Sequence, residues 1–159
     1  MAPRHKPTFL KIIAGNPGKR PLPQREAKVQ PARPVPPAHL AAEALVEWGR
    51  VVEELYEVGL LASVDRAALA AYCQAYSRWV RAEEAIAVMA ERDGVTGALL
   101  IKTTNGNYIQ NPLVGTANKA ASDMVRYASE FGMTPSARSR IDASPPGKED
   151  TDPAAKYFA

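Results

Sequence analysis

Cysteine and histidine are scarce in this sequence: Cys73 is alone, and His5 and His39 are the only histidines. A single cysteine excludes an intramolecular disulfide and a cysteine-rich zinc site, and no His-x-x-x-His pair supplies metal-ligand spacing. Nowhere do the roughly 18 consecutive apolar residues that a membrane span requires occur. No apolar export segment follows the charges of residues 1–11, so the reading predicts no membrane association and a cytoplasmic setting. A Gly-x-Ser-x-Gly nucleophile element is missing too.

Nucleotide hydrolysis fails on spacing. Gly15-Asn16-Pro17-Gly18-Lys19-Arg20 follows an apolar stretch and imitates a phosphate loop, but the pattern needs glycine where Ile13 stands and a hydroxyl where Arg20 stands. Pro17 removes an amide from the cradle, and Pro21 and Pro23 prevent the helix that should face the phosphates. Adjacent carboxylates, Glu53 with Glu54 and Glu83 with Glu84, diverge by about 100° on a helix and read as solvated faces. Cys73 falls in an aromatic stripe with no activating histidine, which reads as a buried, inert thiol. The expectation is a protein without catalytic apparatus, cofactor or metal.

What is present is a strong division of charge and composition. The 159 residues are 46% hydrophobic and 23% charged, which suits one soluble domain with tails. Residues 1–37 hold nine of the fourteen prolines and eight basic side chains against Glu26 alone. Twelve basic and sixteen acidic side chains make up the rest. Residues 1–37 therefore read as an extended basic arm, either a solvated linker or a grip on a phosphate backbone.

From residue 38 the pattern turns helical. Leu40, Ala44, Trp48, Val51 and Leu55 recur every three or four residues, and Gly59 stops this first helix. Ser63 is the predicted N-cap of a second helix from Val64 to about Arg92, with Leu69, Tyr72, Cys73, Tyr76, Trp79, Val80, Ile86 and Met89 as its stripe and Gly94 as its stop. That stripe is longer than short neighbours can cover, which points to packing against another copy. A β-hairpin follows at about 98–110, with Asn105-Gly106 expected to form a type I′ turn. Two strands alone are marginal, so the hairpin packs on helices or on a neighbouring subunit. Asn111-Pro112 opens a third helix carrying Leu113, Ala117, Ala120, Met124, Ala128 and Phe131, closed by Gly132.

Residues 134–159 read as a short helix over Ser136 to Ile141 followed by a solvated tail whose end, Lys156 to Ala159, is either frayed or a docking peptide. The expected fold is mainly α: about three core helices over residues 38–133 with one hairpin, a basic N-terminal arm and a short C-terminal helix. Arg138 and Arg140 form a small second cationic patch, and Lys102 on the hairpin is a weaker candidate. A helix-turn-helix is disfavoured, since both helices are too long and the periodic face is apolar and acidic.

Several elements together resemble a known family. Pro7-Thr8-Phe9-Leu10-Lys11 leads into Gly15-Asn16-Pro17-Gly18-Lys19-Arg20-Pro21-Leu22; Trp48 and Gly59-Leu60-Leu61 follow. Then come Val64-Asp65-Arg66-Ala67-Ala68-Leu69 and Tyr72, Cys73, Tyr76 and Trp79. Gln110-Asn111-Pro112, Ala117-Asn118-Lys119-Ala120 and Glu130 through Arg140 complete a pattern that resembles the small subunits of tailed-phage terminases.

That resemblance implies a non-catalytic subunit that assembles into a homo-oligomeric ring, binds viral double-stranded DNA and brings it to the large terminase subunit. Charge and exposure nominate Arg4, Lys6, Lys11, Lys19, Arg20, Arg138 and Arg140 as DNA contacts. The apolar stripe nominates Trp48, Tyr72, Tyr76, Trp79 and Ile86 for the oligomer interface. The alternatives are a stand-alone DNA-binding regulator and a structural adaptor of the phage head.

Overall fold

A computed structural model describes residues 30–138. Three long helices and one hairpin make up this region. Helix α1 spans Ala42–Glu57, a 3-10 turn covers Ser63–Asp65, and α2 spans Arg66–Ala90. Strands β1 (Leu100–Lys102) and β2 (Tyr108–Gln110) precede α3 (Pro112–Glu130) and the single turn α4 (Pro135–Arg138). The mainly helical class and the hairpin are as the sequence predicts.

Helix α2 is central, with α1 and α3 both antiparallel to it. The periodic residues explain why. Ala44, Trp48, Val51 and Leu55 of α1 bury against Leu69, Tyr72 and Cys73 of α2, and Met124, Tyr127 and Ala128 of α3 pack onto the same cluster. Polar pairs fix the register of α1 on α2: Glu43 accepts from the fully buried Ser77 hydroxyl at 3.1 Å, and Glu47 accepts from Tyr72 at 2.8 Å.

The helix ends are decided by local chemistry. Gly59 (φ 74°) and Gly132 (φ 70°) take the left-handed conformation, and the next amides, Leu60 and Met133, donate back to Leu55 and Ala128 in Schellman closures. Asn111 caps α3, accepting from the Leu113 amide at 3.0 Å with Pro112 in the first turn.

Three local expectations are corrected. Ser63 does not cap α2; the chain makes a 3-10 turn first, and the Asp65 carboxylate reaches back to the Ala62 amide at 2.9 Å. Gly94 is not the stop of α2, which ends at Ala90, and the left-handed pair downstream is Gly97 and Ala98. The Asp93 carboxylate holds that loop, accepting from the amides of Val95, Thr96 and Ala98 and from the Thr96 hydroxyl. Asn105 keeps a negative φ, so the hairpin turn is not type I′. Thr103 and Asn107 close a three-residue loop in which Gly106 (φ 84°) alone is left-handed, the alternative in which a bulge supplies the strand twist.

Residues 31–37 lie across the helices. Pro31 bridges to Ala62, the Ala32 amide donates to Leu61 at 2.9 Å, and the Arg66 guanidinium donates to the Val35 carbonyl at 2.7 Å. Arg33 grips both Glu53 carboxylate oxygens, at 2.9 and 3.1 Å, while its guanidinium stacks 3.6 Å above the Tyr56 ring. The root of the N-terminal segment is thereby tied to the connection between α1 and α2.

Candidate nucleic-acid interface

Charge on the described surface is organised by helix spacing. Arg78 and Arg81 lie one turn apart on α2, both exposed, and Arg78 has no hydrogen-bonding partner among the described residues. Lys119 and Asp123 on α3 are likewise one turn apart and form a 2.6 Å ion pair. The Lys119 ammonium is the main reason the Asp123 carboxyl sits below the ordinary carboxylate range, with Arg126 and Arg78 adding to the effect. Of these groups Arg78, Lys119 and Asp123 rim a groove of about 1330 Å3 between the first half of α2 and α3.

The predicted contact residues divide sharply. Arg4, Lys6, Lys11, Lys19, Arg20 and Arg140 lie outside the described residues. Arg138 is exposed at the end of α4 and borders a smaller cavity of about 450 Å3 beside Arg50, Phe131 and Met133. Lys102 is exposed on β1, paired across the ladder with Tyr108.

Among the residues predicted for an oligomer interface, Trp48 and Tyr72 are buried inside the protomer's own core. Tyr76, Trp79 and Ile86 are half-buried on α2. The Tyr76 and Trp79 rings meet edge to face at 6.2 Å, and the Trp79 indole donates to Glu83 at 3.2 Å.

Two features escaped the sequence reading. The first is a buried carboxylate. Glu47 is only 5% exposed, and Arg50 clamps it with two bonds of 2.6 and 3.0 Å while Tyr72 donates the third. The Glu47 contact holds the Arg50 guanidinium above its ordinary range, and burial together with Glu47 raises the Tyr72 phenol. Burial, reinforced by the Glu47 charge, pushes the Cys73 thiol up to about 12, so the thiol is protonated and unreactive at neutral pH. An acidic residue interrupting the apolar face beside Trp48, three before an arginine, was the available signal. The second is the groove, whose alanine lining carries no mark in a sequence reading until two helices are laid side by side.

Among the described residues no group of three or more His, Cys, Asp or Glu side chains could hold a metal ion, and no helix is long and apolar enough to cross a membrane. The family model for the small subunit of phage terminase matches residues 44–148, well over half of the chain. The chain belongs to that family. Membership gives this terminase small subunit a general role in packaging phage DNA. No curated protein and no solved structure matches it significantly. The matched region takes in all but the first two residues of α1, the whole of α2 and α3, and the hairpin.

Proposed function

We propose that this terminase small subunit is the non-catalytic, DNA-recognising and regulatory component of a packaging motor. In this reading it assembles into a homo-oligomeric ring in the cytoplasm of the infected bacterium. It grips viral double-stranded DNA and delivers it to the large subunit, which carries the ATPase and nuclease.

One observation carries the assembly: the hairpin makes at most marginal contact with the helices, yet it pairs Ile101 with Ile109 on one face and sets Leu100 and Tyr108 beside Gln110 and Lys102 on the other. Leu99, Tyr108 and Ile109 are 56%, 63% and 46% exposed. A two-stranded ribbon of this kind is marginal in water unless something packs on it. Tyr76, Trp79 and Ile86 extend the same argument along α2, while Trp48 and Tyr72 act from within by fixing the helices that carry this surface. The DNA grip falls to the basic segment bearing Arg4, Lys6, Lys11, Lys19 and Arg20, rooted by the Arg33 and Arg66 contacts, with Arg138 and Arg140 as a second patch. Extended cationic segments bind phosphate backbones through counterion release and need no fold of their own.

Native mass measured with and without duplex DNA tests this reading. A single large oligomer that takes up DNA is the expected result. A small dimer with tight affinity for a short palindrome would replace it by a stand-alone regulator, and assembly without DNA binding at any salt by a structural adaptor.

A further inference from the structure

The groove between α2 and α3 has two properties that together specify an occupant. Its floor is built from small residues, among them Ala67, Ala71, Ala75 and Ala120, and a side chain added at Gly115 would meet nothing within 4 Å. Along its length three cations, Arg66, Arg78 and Lys119, face one carboxylate, Asp123. At about 1330 Å3 it exceeds the roughly 300–1,000 Å3 of small-molecule sites and suits a peptide. An apolar floor between cationic rims fits a segment that alternates carboxylates with apolar or aromatic side chains. A duplex is too wide to reach such a floor.

We propose that this groove is the docking site of the same protomer's own acidic tail, residues 149–158. Of the two segments outside the described residues, 1–29 is strongly basic and is repelled by the rims. The other contains Glu149, Asp150 and Asp152 for the cations, followed by Tyr157 and Phe158 for the alanine floor. Lys156 is the only base among these ten residues. Reach permits the contact. Arg138 lies by Ala128 and Phe131 at the C-terminal end of α3, and Tyr127 forms that end of the groove. The eleven residues from Arg138 to Glu149 span up to about 36 Å when extended, whereas Pro112 to Tyr127 of α3 cover about 22 Å. Docked there, the tail shields Arg78 and Lys119 from other polyanions and leaves the grip on DNA to the basic residues between Arg4 and Arg20.

Hydrogen exchange on the full chain, followed by mass spectrometry, tests the proposal. Amides of residues 149–158 are expected to exchange at least tenfold more slowly than in a free peptide of the same sequence. The R78E/K119E double variant should abolish that protection, and adding E149K/D150K/D152K to it should restore protection. Gly115→Leu should also release the tail by filling the groove, and because leucine favours helix over glycine this variant retains its fold. Intrinsic exchange rates in the unaltered chain, or protection indifferent to both groove variants, would overturn the assignment. A tail that protects only in trans, seen in mixed oligomers of tail-truncated and R78E/K119E chains, would overturn it as well. So would a groove that takes DNA while the tail exchanges freely.

Discussion

The Tyr72 hydroxyl donates a 2.8 Å hydrogen bond to Glu47 Oε1, joining α2 to α1 through a carboxylate that Arg50 simultaneously clamps from the solvent side. Register between the two helices is therefore fixed by a directional contact set within an apolar core. Tyr72→Phe keeps the ring and its packing but leaves Glu47 one donor short. The expected cost is about 2 kcal/mol, the range for hydrogen bonds to charged groups. Urea denaturation should show a lower midpoint with an unchanged slope; an unchanged midpoint would mean that Arg50 alone satisfies the carboxylate.

Cys73, directly after Tyr72, should behave as a hydrocarbon. Its thiol is fully buried and pushed up to about 12, from an ordinary value near 9. Thiol reagents at pH 8 are expected to label it only as fast as the protein opens, and denaturant should accelerate labelling by orders of magnitude. The sign of the pH effect follows from linkage. The unfolded chain loses the thiol proton above about pH 9 while the folded chain keeps it, so this residue's contribution to stability falls from about pH 9 to about pH 12.

Asn111 ties α3 to the loop that leads into the hairpin. It is 2% exposed, caps α3 through the Leu113 amide, and donates to the Ala98 carbonyl at 2.8 Å. Asn111→Ala should cost about 1–2 kcal/mol as a lost cap. The Thr103 and Gly106 amides, which close the hairpin, should exchange faster in this variant while the α1 amides are spared.

Asp93 holds the preceding loop, and its carboxyl lies below the ordinary value of 3.8 chiefly because the Thr96 hydroxyl donates to it. A depressed carboxyl stabilises the fold above the unfolded value and loses that contribution as pH falls through the native one. Acid titration should therefore loosen residues 93–98 below about pH 4. Asp93→Asn should remove this acid sensitivity; persistence of the step would assign it to another carboxylate.

Assembly and DNA binding separate by mutation. Ile109→Lys places a charge on a strand position that is already exposed in the protomer, so helical content should survive while native mass falls. Replacing Lys19 and Arg20 by alanine should leave mass unchanged and weaken DNA binding. The slope of log K against log salt should become shallower by about 1.8, or 0.9 for each lost phosphate contact. An unchanged slope would remove these two residues from the grip.

Much of this protein is legible in its sequence because helices are specified locally. A period of 3.6 apolar residues, a glycine after the last turn and an Asn-Pro pair before the first are interactions within a few residues. Accordingly α1, α3 and their closures at Gly59 and Gly132 stand where those signals predict. The family pattern is legible for the same reason, being a string of such local signals in order.

Tertiary structure alone decided the rest. Whether the aromatic stripe of α2 is core or surface depends on how far α1 extends beside it, and α1 covers Tyr72 but leaves Trp79 half open. Asn105-Gly106 has the composition of one turn and adopts another because Thr103 and Asn107 pair across three residues. Glu47 is an ordinary surface residue by type and becomes a buried anchor only when Tyr72, twenty-five positions away, meets it. Alanines of low individual information become a groove once α2 and α3 are antiparallel. Each of these outcomes is set by contacts between residues far apart in the chain, whose free energy exists only after the helices have packed.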